Sequence, residues 1–155
     1  MTTNNKLDKS FGPIGTVAGI TIFIVGIILV FFSLSGLFLI LLGAFVGFSS
    51  TSTFIDFDKK RIKFSNNLFG IIRAGKWLDI ATDMKIEIKK SNKTWRAYSQ
   101  GSRTLDISNQ DFRIILYDSA NKQIMPVMKT KTLDSAKIEI EKLSNQLGLG
   151  IIDHS

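Results

Sequence analysis

The residues Gly70-Ile-Ile-Arg-Ala-Gly75-Lys76 have the G-x-x-x-x-G-K spacing of a phosphate-binding loop. Position 77 is Trp, where magnesium binding needs the hydroxyl of Ser or Thr. The flanks alternate as antiparallel strands do, so the segment reads as a strand with glycine-eased bends. Ser91 with Lys93, and Ser135 with Lys137, have the form of serine–lysine pairs, but such neighbours arise by chance among 20 Lys and Arg residues. The one histidine, His154, follows the last helical pattern, and there is no cysteine. That excludes thiol nucleophiles, disulfides and cysteine-ligated metals. No residue is nominated as catalytic, cofactor-binding or metal-ligating, and the expectation is a non-enzyme without a cofactor.

Two basic groups point to binding instead. Lys59, Lys60, Arg61 and Lys63 form the densest cluster. Beside a membrane, each such base attracts anionic lipid by about 1 kcal/mol, and the same bases also set topology. Lys89, Lys90, Lys93 and Arg96 are interleaved with Trp95 and Tyr98, the mixture found on single-strand nucleic-acid surfaces. From Phe54 onward, however, 18 bases face 12 acids. So modest a surplus suits a domain tethered beside anionic lipid, and no nucleic-acid partner is expected.

What must position these groups is an unusual chain. Of 155 residues, 45% are hydrophobic and only 21% charged, yet the formal net charge is +7. The apolar excess is concentrated: no charged residue occurs in the 46 positions from Ser10 to Ile55. About 20 apolar residues cross a hydrocarbon core, so this run predicts two crossings. Ser33, Ser35 and Gly36 mark the turn of a transmembrane hairpin over 11–52, with helices near Ile14–Phe32 and Leu37–Ser52. A cleaved signal peptide would have an apolar region of only about 7–15 residues. Lys6 and Lys9 precede the first helix and the Lys59–Lys63 cluster follows the second, which predicts both termini in the cytoplasm and the turn outside. Residues 1–10 are then a cytoplasmic tail. Gly15, Gly19, Gly26, Gly43 and Gly47 are the expected hairpin-packing positions. Folding about Leu34–Ser35 sets Gly26 opposite Gly43. Neither helix has an ionisable residue, which argues against transport.

Residues 53–150 predict a second unit, with 151–155 as a tail. Strand patterns run through Phe54–Phe57, Ile62–Ser65, the segment ending near Trp77–Ile80, Met84–Lys89, Thr94–Tyr98, Thr104–Ile107, Phe112–Tyr117 and Gln123–Met128. Pro126 suggests an edge position. Ala136, Ile140, Leu143 and Leu147 then mark one face of a helix over about 133–147. Thr132 is placed to cap its start and Gly148 its end. The fold class expected is therefore a helical hairpin plus an α+β, mainly-β domain: an antiparallel sheet or open barrel of six to seven strands, closed by a C-terminal helix.

This order resembles the pleckstrin-homology-like (PH-like) fold. More specifically, the chain resembles small bacterial membrane proteins in which a helical hairpin precedes a bacterial PH-like domain. The resembling residues are Phe54-Ile55-Asp56-Phe57-Asp58-Lys59-Lys60-Arg61-Ile62, then Gly75-Lys76-Trp77, then Ser135-Ala136-Lys137 through Leu143 and Leu147-Gly148-Leu149. The resemblance implies a non-enzymatic module in the cytoplasmic membrane that binds a protein partner or anionic lipid head groups. It also implies that the first strand turn is the head-group region. Alternatives are an accessory subunit of an integral membrane complex with the glycine-rich hairpin as its contact, a homo-oligomer, or an NfeD-like protein with an OB barrel. An OB barrel has five strands and leaves the last strands and helix unexplained.

Overall fold

The computed structural model describes residues 1–98 and 104–152, and for 93–98 and 104–109 the backbone alone. Among the described residues there are three helices and nine strands in two sheets, an α+β architecture.

Helix α1 spans Gly12–Val30, with Pro13 in the first turn where its missing N–H costs nothing. The amide of Ser33 donates to the Leu29 carbonyl (2.9 Å) and closes this helix. Helix α2, Ser35–Phe48, follows at once. Among the described residues, those buried in the two helices are all glycines: Gly12, Gly19 and Gly26 in α1, and Gly36, Gly43 and Gly47 in α2. A Cβ on Gly19 would strike the backbone of Gly47, one on Gly43 that of Phe23, and one on Gly36 that of Val30. Glycine here lets two backbones touch. The facing pairs are symmetric about Ser33, not about Leu34–Ser35. Gly26 therefore meets Ile40 and not Gly43, while Gly15 faces Phe11 of its own helix. The expected register was displaced because the helices begin and end earlier than hydropathy alone suggests.

The first ten residues are not a free tail. Strand β1, Thr2–Lys9, pairs antiparallel with β2, Ser50–Asp56, from Thr2 opposite Asp56 to Lys9 opposite Ser50. Both legs of the hairpin thus continue directly into neighbouring strands, joined at the base by the Ser10 amide donating to Ser49 O (3.2 Å). Strand β3 (Arg61–Leu68) pairs with β2 on its other edge, and the short β4 (Ile72–Ala74) and β5 (Trp77–Asp79) both pair with β3. A Cβ at Gly75 would strike the backbone of Phe64, so glycine is what allows the β4–β5 link to cross so close to β3.

The second sheet has the order β8-β7-β6-β9. Its centre is one long hairpin, β6 (Lys85–Tyr98) and β7 (Thr104–Tyr117), paired continuously from Lys85–Tyr117 to Tyr98–Thr104. The four short strands expected in this region are two long ones. The polar stretch Lys89–Lys93 looks like a break, but each of its residues has a partner across the ladder. Strand β8 (Gln123–Thr130) carries Pro126 at the sheet edge, beside an irregularity in its register with β7. Helix α3 (Leu133–Leu147) and the two-residue β9 (Gly150–Ile151) complete the chain.

The core lies between the sheets and under α3. Ile55 and Ile62 come from the first sheet, Ile86, Ile114, Leu116 and Val127 from the second, and Ile140, Leu143 and Leu147 from α3. Ala136, Ile140, Leu143 and Leu147 are the buried face of this helix, as their spacing predicts. Thr132 Oγ1 accepts from the Ser135 amide (3.3 Å), and Gly148 ends the helix in the left-handed conformation (φ 74°).

Candidate binding face on the first sheet

Cross-strand register sorts the first sheet into two faces. Ile55, Ile62 and Leu78 are opposite one another and turn toward the core. The alternate rows, Phe54–Lys63–Trp77 and Asp56–Arg61–Asp79, therefore lie on the outer face. There the Arg61 guanidinium stacks on the Trp77 ring, 4.5 Å from its centroid, and Lys63 Nζ lies 6.0 Å from the same ring. Lys63 Nζ also donates to the Arg73 carbonyl (3.3 Å), and the Arg73 guanidinium covers Phe54 at 5.1 Å. Exposed cation–aromatic contacts of this kind contribute about 0.5–1 kcal/mol each, enough to favour these positions of the cations.

The adjoining turn is organised by Asp56. Its carboxylate accepts from the Lys59 amide (3.2 Å) and from Arg61 Nε (3.2 Å). Burial would raise the acid's pKa, but those two hydrogen bonds and the Arg61 charge outweigh it and hold the group below the ordinary carboxylate range. Lys60 adopts a left-handed conformation (φ 45°) at the tip, and the Met1 amino group pairs with Asp58.

The structure brings Arg61 and Lys63 together on Trp77 and leaves Lys59 and Lys60 exposed at the turn. It does not place that turn beside the hairpin. Strand β2 leaves α2 at Ser50 and reaches the turn only after Asp56, about 20 Å along the strand at roughly 3.3 Å per residue. Proximity in sequence to an apolar helix had suggested the opposite. The bases level with Ser50 are Lys9, its partner in β1, and Arg73, paired through Asn67.

A second constellation gave no sequence signal. Arg113 donates to both oxygens of Asp111 (2.8 and 3.1 Å) and lies 2.9 Å from Asp8, while Lys129 reaches both Asp8 (3.1 Å) and Asp111 (2.9 Å). Asp111 and Arg113 are buried. The register shift between Lys6 and Lys9, a bulge, accompanies the turn of Asp8 toward β7 and β8. Burial raises the pKa of Asp111, but the hydrogen bonds and charges of Arg113 and Lys129 exceed that effect and lower it. Two acids against two bases make a neutral clamp between the sheets. Asp8 is 105 residues from Arg113 and 121 from Lys129, beyond any local pattern.

The Gly70–Lys76 segment has no helix after it; it is the β4 strand and its two flanking bends, as expected. Among the described residues no group of three or more His, Asp or Glu side chains is placed to hold a metal ion. The side chains of Lys93, Trp95 and Arg96, with Tyr98 and His154, lie outside the described residues. No protein-family model matches the chain, nor does a curated protein or a solved structure.

Proposed function

We propose that the protein is a membrane-anchored, non-enzymatic interaction module: a helical hairpin inserted in the bacterial cytoplasmic membrane, and a PH-like domain held at its cytoplasmic face. The observation that carries this reading is the hairpin's surface. Gly19, Gly26, Gly36, Gly43 and Gly47 are consumed in α1–α2 contact, and outside them Val17, Ile24, Ile28, Leu37, Phe38 and Leu41 are more than half exposed. A core helix of a soluble protein would bury such residues; here they need lipid. Helix α1 alone has the length of a membrane span, and α2, at 14 residues, is shorter. Two sheets closed by a C-terminal helix support the PH-like reading.

The outer face of the first sheet is the binding surface in this proposal. Lys59 and Lys60 lie too far along β2 to serve the anchoring bilayer, so the face suits an acidic segment of a partner protein better than head groups. The subunit alternative loses force because the glycine stripe already has its partner. Poly-glutamate titrated onto the full chain in neutral-lipid vesicles tests the proposal. Lys59→Glu, Lys60→Glu and Arg61→Glu together should abolish binding and leave vesicle association unchanged. Equal binding by the variant would refute the assignment of this face.

A further inference from the structure

The β3–β4 turn combines features that neither a solvated loop nor a core segment explains. Ile71 is 81% exposed and Ile72 56%. Phe69 and Gly70 both have positive φ (56° and 71°), which turns the chain sharply and pushes the two isoleucines out. The conformation is held from below. The Phe69 amide donates to the Oγ of Ser49, which is buried (3.2 Å), and the Ile71 amide donates to Leu68 O (3.1 Å). A protein that only needed to reverse its chain here could use polar residues.

The position of the turn is the second observation. Asn67 is opposite Ser50, the first residue of β2, so Leu68 to Ile72 project past the end of β2 toward the helices. The Phe69 ring packs edge-on against Phe45 of α2 (5.4 Å), nearly a full turn inside that helix. Phe45 in turn meets Phe11 (5.5 Å), so the turn's apolar surface is continuous with that of the hairpin. An exposed base stands where the apolar surface stops: Lys9 is level with Ser50, as is the backbone of Arg73, whose guanidinium turns back over Phe54.

We propose that the turn Phe69–Ile72 is a second membrane contact, inserted at the boundary between head groups and acyl chains beside α2, with Lys9 at the level of the lipid phosphates. Interfacial apolar segments sit about 5–10 Å into that boundary, and juxtamembrane bases meet anionic head groups there. The inference rests on the hairpin lying in the bilayer. It adds that the domain is seated on the surface rather than suspended above it. A protein occupant is disfavoured, because the contact of Phe69 with Phe45 leaves the turn facing the same medium as the hairpin.

The chain has no cysteine, so single Cys substitutions can be labelled cleanly. Ile71→Cys, Ile28→Cys in α1 and Lys59→Cys in the distal turn, each in the full chain, are labelled with a polarity-sensitive fluorophore in vesicles containing anionic lipid. Brominated lipid should quench the labels at 71 and 28, and iodide should quench the label at 71 severalfold less than that at 59. A label at 71 that behaves like the one at 59, with 28 still quenched by lipid, overturns this proposal and leaves the hairpin reading intact. A label at 71 shielded from both quenchers means a protein covers the turn, which also overturns it. Free access of iodide to 28 removes the hairpin reading, and this inference with it.

Discussion

Asp111 sits at the centre of the clamp between the sheets, and its removal leaves Arg113 buried without its principal partner. Breaking a buried ion pair from one side typically costs about 3–5 kcal/mol, so Asp111→Ala should lower the unfolding midpoint of the full chain markedly in denaturant titration. Its pKa is depressed in the fold. The clamp is therefore fully present above the unfolded carboxylate value, near 4, and is lost as pH falls through the lower folded value. Acid titration of the midpoint should be shallower in Asp111→Asn than in the parent. Tyr117 gives the opposite sign. Burial, then a hydrogen bond to Glu87 and its charge, push the phenol up to about 12. Unfolded tyrosine ionises near 10, so stability falls as pH rises from about 10 to 12. Tyr117→Phe should remove that alkaline step, and a persistent step would assign it elsewhere.

At the scale of elements, α3 offers the clearest contrast between adjacent positions. Leu143 is 2% exposed within the core, whereas Lys142 is mostly exposed and only grazes Glu139 at 4.0 Å. Leu143→Ala should cost about 2–5 kcal/mol, and Lys142→Ala well under 1. Thermal unfolding of the two full-length variants decides it, and equal melting would detach α3 from the core. This helix was readable in advance because its period, its Thr132 cap and its terminal Gly148 all act locally. The β6–β7 hairpin was not, since strand patterning identifies buried faces and residues 89–93 present no continuous one. Strand β1 was hidden for a related reason. Thr2 to Lys9 is polar on its outer face, and only Leu7 is buried. The glycine positions were legible as a packing stripe, but their register depended on which residue turned the hairpin.

For the whole molecule, the pairing of β1 with β2 puts both legs of the hairpin on one side. With the basic flanks inside, the orientation we propose, a cytoplasm-dependent reporter fused before Met1 and another after Ser155 should both be active. Activity at only one end is incompatible with the hairpin. The basic turn shows the limit of reasoning along the chain. Lys59 follows α2 by eleven residues, and a linear reading keeps it at the membrane. An extended strand converts those same residues into distance.

The double exit through β1 and β2 has a mechanical consequence. A domain hung on one flexible linker swivels freely and samples every azimuth above its anchor. This domain is held by two strands that are bonded to each other from their roots, and twisting it would shear the ladder between Lys9–Ser50 and Thr2–Asp56. Rotation of the helix pair is thus delivered to the domain as a torque. The Arg61–Trp77 face keeps a constant bearing relative to the helices beneath it.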